Sequence, residues 1–301
     1  MKRVFSIFAG LLVLALLVLY LRPAPAPASH IFFGAPDDYG PDIIAHGGGL
    51  GHGPPNTLFA LDKADEMGAD VLEGDVQQTK DGVLILRHDD TLDRTTNLTG
   101  LIAEMNWADI KQADAGAHTV LDGVTLAGQG ISIPTVESAL AAFPDARWNL
   151  EIKNDTRAAA YALCQSIVDA GVQDRVLVAS FHDGAMDHFR ESCPDVATSM
   201  SSGEVARFVI AARLGFSRWI KTPAVALQVP VSFEGIDLTH PRILAAARAR
   251  GFQMHYWTIN GEDEIEALLV AGADGIITDY VDRGLAVRDS ISAIGNRSPD
   301  K

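Results

Sequence analysis

Cysteine is nearly absent from this chain: Cys164 and Cys193 are the only two among 301 residues. A disulfide-dense scaffold is therefore excluded, and neither residue sits in a zinc-ligand spacing. Two readings of the pair stay open, a single disulfide or two unrelated buried thiols, so the cysteines do not fix a compartment. Basic charge is also scarce. Lys and Arg total 24 against 39 Asp and Glu, a net charge of −15. Residues 1–30 hold Lys2, Arg3 and Arg22 and no acid, so the rest of the chain carries −18. Such an acidic body repels polyanions, which argues against nucleic acid as a partner. A small anionic substrate is repelled too, and needs a local positive centre that a bound cation can supply. No internal repeat of fixed period is present. The glycine-rich stretch Gly47 to Gly53 contains no G-x-G-x-x-G register and leads into no Gly-Lys-Ser/Thr, so nucleotide binding is not supported.

One long apolar run is present. Val4 to Tyr20 carries no charge, is broken only by Ser6 and Gly10, and follows Lys2 and Arg3. It approaches the ~20 residues that cross a bilayer and exceeds the roughly 7–15 residues of a cleavable signal core. Its length favours an anchor over residues 1–21. Ala26-Pro27-Ala28 has the small-x-small form of a cleavage site, so secretion after cleavage is the alternative. Positive charge is heavier before the run than after it, which puts the N-terminus in the cytoplasm and the folded body outside. Residues 22–41 read as a Pro/Ala-rich linker, stiff where it runs RPAPAPAS.

From residue 42 short apolar strands alternate with helical segments. Strands are expected at Ile43 to Ala45, Asp70 to Val76, Trp148 to Ile152, Val176 to Phe181, Gln253 to Ile259 and Gly275 to Thr278, with weaker ones at Val196 to Met200 and Ala226 to Val231. Helices are expected from Asn56-Thr57 to Met67, over Arg157 to Ala170, on to about Glu191, over Pro241 to Arg250 and over Glu262 to Val270, with a short tail helix at the end. Asp81-Gly82 marks a turn into a returning strand, Leu84 to Arg87. About eight strands over about 245 residues fit a closed (β/α)8 TIM barrel at residues 42–290. Residues 90–133 form a small irregular insertion, and 291–301 a tail.

The chemistry-bearing residues fall at strand ends. Glu73 and Asp75 stand at i and i+2 of one strand, so they share a face, and two carboxylates suit a hard cation. Glu151 and Lys153 repeat the spacing; Glu151 adds a third carboxylate and Lys153 a phosphate contact. Taken alone, Glu151 and Lys153 would make only a salt bridge at the barrel mouth. His46 ends the first strand and His88 follows the returning one, and their intrinsic pKa suits proton transfer to and from oxygen. Trp257 can wall the pocket, and Asp279 closes the last strand. Functional groups gather at the carboxyl ends of strands in such folds. His52, in the glycine-rich loop, joins no comparable cluster.

These residues resemble the glycerophosphodiester phosphodiesterase family over roughly residues 42 to 285. The landmarks are AHGG at 45–48, PPNT at 54–57, GADVLEGDVQQTKDGVLILRHDDTLDRTT at 68–96, LEIK at 150–153, YWTIN at 256–260 and GADGIITD at 272–279. The resemblance implies a (β/α)8 barrel that hydrolyses glycerophosphodiesters to glycerol 3-phosphate and an alcohol with Ca2+ or Mg2+. By motif position, His46 and His88 match the acid–base pair, Glu73, Asp75 and Glu151 the metal ligands, and Lys153 a phosphate-side lysine. Two positions depart from the family pattern. Gly47 stands where the family has arginine, and Pro55 where it has glutamate; His52, Arg87 or Lys153 are the residues to compensate. Substrate is expected to be a small glycerophosphodiester or a lysophospholipid, met outside the cytoplasm by a membrane-tethered body. The rival readings are a lysophospholipase D-type lipid phosphodiesterase and a non-catalytic module for phospholipid head groups.

Overall fold

The computed structural model describes residues 29–34 and 40–295, together with Gly10. The expected anchor over residues 1–21 lies outside the described residues but for Gly10, and among the described residues no helix is long and apolar enough to cross a membrane. Eight parallel strands form the centre: β1 (Asp42–Ala45), β2 (Val71–Gln78), β3 (Trp148–Ile152), β4 (Val176–Ala179), β5 (Ala197–Thr198), β6 (Ala226–Val229), β7 (Gln253–Tyr256) and β8 (Gly275–Thr278). They run side by side in the order β5-β4-β3-β2-β1-β8-β7-β6. The two ends meet at a parallel bridge between Ser199 and Ala226, with Met200 N donating to Ala226 O at 2.8 Å. The sheet thus curls into the expected barrel. Its strands are short apolar runs such as Val176-Leu177-Val178, buried on both faces as parallel sheets require.

A helix follows each strand: α1 (Leu58–Met67), α2 (Val136–Ala142), α3 (Arg157–Ala170), α4 (Asp183–Ser192), α5 (Ser202–Leu214), α6 (Pro241–Ala249), α7 (Glu262–Ala271) and α8 (Val281–Gly295). Local chemistry sets their limits. Thr57 and Thr156 accept hydrogen bonds from the backbone N–H groups of Ala60 and Ala159 and so start α1 and α3. Gly68 and Gly171, both with positive φ, end them. Two helices, α2 and α5, have no counterpart in the sequence reading, although Ser201 and Glu204 form a capping box before α5. The expected short tail helix is the fifteen-residue α8, which packs on α7 and β1.

The main apolar core lies between the sheet and the helices, around Trp148, Phe189 and Phe208. A second cluster, including Ile44, Val71, Leu177 and Ile277, fills the lower barrel interior. Phe32 and Phe33 plug it from below, although they belong to a stretch expected to be linker. Phe33 packs edge-on to His255, and the Arg147 guanidinium lies 5.4 Å from the Phe32 ring centre. Cys164 on α3 and Cys193 just after α4 are disulfide-bonded, with Cα atoms 5.8 Å apart. The disulfide reading of the cysteines is the one observed. The returning strand, Leu84–Leu86, pairs antiparallel with β2. The insertion beyond it has its own small core around Leu92, Ile102 and Ile110.

Candidate active site

Alternation along the strands turns one set of side chains inward. Glu73, Asp75, Glu151, His46, Lys153, Trp257 and Asp279 all fall in that set, at the carboxyl ends of their strands. His46, Glu73, His88, Glu151, Lys153 and Trp257 line a single cleft of about 470 Å3. Every residue expected in the site except Asp75 therefore opens on it. Asp75 lies directly behind, buried, with its Oδ1 2.8 Å from Lys153 Nζ.

Glu73, Asp75 and Glu151 each offer a carboxylate oxygen, and these atoms lie within 4.8 Å of one another. Burial, and then the neighbouring Asp75 charge, push the Glu73 carboxyl up to about 8. Burial also raises Glu151, against the pull of Lys153. An all-oxygen set of three crowded carboxylates fits a hard divalent cation. Lys153 Nζ bridges Asp75 and Glu151, 3.0 Å from Glu151 Oε1. Burial alone would depress this lysine, but the two carboxylates outweigh it and keep it charged.

Each histidine has its own carboxylate. His46 Nδ1 lies 2.8 Å from Asp279 Oδ1, and Asp279 Oδ2 accepts from Asn260 Nδ2 at 2.7 Å. With Nδ1 engaged, Nε2 is the ring atom left to the cleft. Burial works against the His46 charge, but Asp279, Glu73 and Asp75 prevail and raise it to about 9. His88 is half exposed, and its Nδ1 is 3.0 Å from Asp89 Oδ1. Arg94 grips Asp89 with two hydrogen bonds, which more than offset its partial burial and hold its carboxyl at about 2.

Sequence reasoning assigned no role in the site to four of these residues. Asp279 was read as a chemistry-bearing strand end and Asn56 as a helix cap, while Asn260 and Asp89 appeared only within the family landmarks. Asn56 exchanges two hydrogen bonds with Asp75: Nδ2 donates to Oδ2 at 2.8 Å, and Oδ1 accepts from Asp75 N at 2.9 Å. Its φ of 59° marks a tight turn, so Thr57 alone caps α1.

The two departures from the family pattern prove to be neighbours. Gly47 has a φ of 53°, and its N–H donates to Glu73 Oε2. A Cβ at this position would meet Leu50 Cδ1 at 2.8 Å and Pro55 Cβ at 3.5 Å. Leu50 and Pro55 thus crowd the position where the family has arginine. Of the three residues expected to compensate, Lys153 alone lines the cleft. His52 turns away to Asp282, 3.1 Å off. Arg87, just past the returning strand, is buried, its backbone N–H bonded to Asp75 O.

A parallel eight-stranded barrel with an acidic cluster and two carboxylate-held histidines at its carboxyl end defines a class of metal-assisted hydrolases. Comparison with known proteins narrows this. The model of the glycerophosphoryl diester phosphodiesterase family matches residues 46–283, and the chain belongs to that family. It is an enzyme, a phosphoric diester hydrolase. A glycerophosphodiester phosphodiesterase of Bacillus altitudinis is 30% identical over 256 residues, 83% of this chain and 98% of the relative. One from Caldanaerobacter subterraneus is 31% identical, over 79% of this chain and 93% of that one. Among solved structures, an Oleispira antarctica phosphodiesterase in complex with the product sn-glycerol-3-phosphate is 28% identical with a TM-score of 0.67. The match covers 83% of this chain and 97% of that one.

Proposed function

We propose that this cleft hydrolyses glycerophosphodiesters to glycerol 3-phosphate and an alcohol, with His46 and His88 as the proton-transfer pair. A divalent cation, Ca2+ or Mg2+, held by Glu73, Asp75 and Glu151, would stabilise the negative charge that grows on a phosphate oxygen in the transition state. Lys153 contacts a second phosphate oxygen. One histidine takes the proton of the attacking hydroxyl, and the other gives a proton to the departing alcohol. Asp279 and Asp89 fix the ring orientation of each, so that Nε2 is the reactive atom of His46. Trp257 forms the wall beside the organic part of the substrate. The observation that carries this reading is the opening of both histidines onto the cleft that holds the carboxylates.

The apolar run at residues 4–20 supports a membrane anchor, and the disulfide supports a body in an oxidising compartment outside the cytoplasm. The test is release of choline and glycerol 3-phosphate from glycerophosphocholine. It compares the wild type with His46→Gln, His88→Gln and the double variant, under chelation and after Ca2+ or Mg2+ is restored. Each single variant is expected to lose at least about 10²-fold in turnover, and chelation to abolish activity reversibly. Wild-type turnover by the double variant would refute the assignment. Tight substrate binding by the metal-loaded wild type without product release would favour the head-group-binding module.

A further inference from the structure

One stretch of this acidic chain reverses its charge. Residues 205–233 hold Arg207, Arg213, Arg218 and Lys221 and no acid, and no other stretch of the barrel runs so long without one. Large apolar side chains stand in water in the same stretch. Leu214, the last residue of α5, is 65% exposed, Phe216 51% and Trp219 36%. The Phe216 and Trp219 rings stack, with centres 5.3 Å apart, and the Arg218 guanidinium lies 6.0 Å from the Trp219 ring centre. Lys221 follows, exposed. The loop is braced from behind. Arg250 Nη1 donates to Ser217 O at 2.7 Å and to Ile220 O at 2.9 Å, and Ile220 packs on the main core. Exposed apolar side chains grouped on a fixed loop mark an interaction surface.

We propose that this patch docks the barrel onto an anionic lipid bilayer, with Phe216 and Trp219 at head-group depth and Arg218 and Lys221 over the lipid phosphates. Its charge selects that occupant. Cations near an anionic bilayer each strengthen binding about fivefold, while the net negative charge of the rest of the body is repelled from it. Aromatic rings settle at the boundary between head groups and acyl chains. A second copy is the poorer occupant, because a two-fold dimer would set this basic patch against itself. Position agrees with the bilayer. The loop leads into β6, and Arg250, which holds it, stands just ahead of β7, so the patch lies at the amino-terminal end of the barrel, opposite the cleft. Residues 29–34 enter at the same end: His30 Nε2 is 3.0 Å from Asp195 O, just before β5, and Phe32 shares an apolar cluster with Val225 and Ala226. The chain from Tyr20, where the apolar run ends, to His30 spans at most about 35 Å. An anchored run therefore holds this face near its own bilayer. Docked so, the cleft opens to water and to dissolved substrates.

The test places the full chain in vesicles of phosphatidylcholine alone, or of phosphatidylcholine and phosphatidylglycerol at three to one, with acyl chains brominated near their carbonyl ends. Tryptophan emission of the wild type is compared with that of Trp219→Phe, which isolates the share of Trp219. Trp219 is expected to be quenched in the phosphatidylglycerol vesicles, much less in phosphatidylcholine alone, and to recover in high salt. Arg218→Gln with Lys221→Gln should weaken docking about 25-fold, fivefold for each cation. An unchanged melting temperature shows that this variant is folded, and the lipid and salt dependence of the wild type tests the proposal without it. Trp219 left unquenched in both vesicles, with the chain bound to them, would overturn the proposal: the run would then anchor a body that does not dock. Quenching equal in the two lipids would overturn it as well. So would a Trp219 signal that follows protein concentration at fixed lipid, which would assign the patch to a second copy.

Discussion

The barrel interior contains a histidine that should make the fold sensitive to acid. His255, on β7, is 1% exposed, with Phe33 below it and the backbone of Gly275 against its ring. Gln228 Nε2 lies 3.3 Å from its Nδ1, and its Nε2 has no hydrogen-bond partner among the described residues. Burial, with the Arg147 charge adding to it, depresses its pKa from 6.5 to about 3. Folded and unfolded chains therefore bind protons differently between those values. Above pH 6.5 both states hold a neutral ring and nothing is lost. Below it the unfolded ring takes up a proton that the folded ring refuses, so stability falls as pH falls, until about pH 3. The limiting slope is about 1.36 kcal/mol per pH unit. Allowing for partial protonation of the unfolded state, the loss between pH 7 and pH 5 comes to about 2 kcal/mol. The figure holds for any folded pKa well below 5. The assay is urea unfolding at pH 5, 6 and 7 with chelator throughout, comparing the wild type with His255→Gln, whose amide cannot titrate. The stability difference between the two proteins should shift by about 2 kcal/mol in favour of the variant from pH 7 to pH 5. Parallel pH profiles would show that the folded protein protonates His255, and would refute the argument.

The disulfide closes a loop with a sequence separation of 29. Chain entropy then assigns it about 3.5 kcal/mol, and the Cys164→Ser/Cys193→Ser variant should melt roughly 6–7 °C lower by calorimetry. Replacing Asp279 with Asn removes the carboxylate that orients and charges His46. NMR titration should find the His46 pKa well below its value of about 9, and turnover should fall about 10²-fold with little change in KM. An unchanged His46 titration would refute that coupling. Gly47→Arg forces a side chain onto positive φ and against Leu50, a cost on the order of 1–3 kcal/mol in urea unfolding. Adding Leu50→Ala and Pro55→Glu should recover part of this loss, as expected of positions in contact; an additive result would separate them.

Much of the architecture was legible because short-range chemistry fixes it. Thr156 and Gly171 bracket α3 on the residues expected, since a threonine cap and a left-handed glycine act within one turn. β8 runs from Gly275 to Thr278 as read, because an apolar run buried on both faces needs no partner to be recognised. The carboxylate cluster was legible for a related reason: the two-residue repeat of a strand puts Glu73 with Asp75, and Glu151 with Lys153, on one side. What escaped depends on long-range contact. Asp279 reaches His46 across 233 residues of chain, and Asn56 reaches Asp75 only because the Gly47 loop folds back.

Helix α5 escaped for a different physical reason. A helix that packs on a barrel shows its side chains in two classes, apolar toward the sheet and polar toward water, and that contrast is what periodicity detects. In α5, Phe208, Val209 and Ala212 belong to the core, while Val205, Val209 and Ile210 line the cleft. Both directions are apolar, so the contrast blurs along SGEVARFVIAARL. Ile210, 60% exposed, lines that cleft. The same second apolar face that hides the helix from a periodicity reading lines one wall of the catalytic cleft, so the missed element and the apolar side of that cleft have one cause.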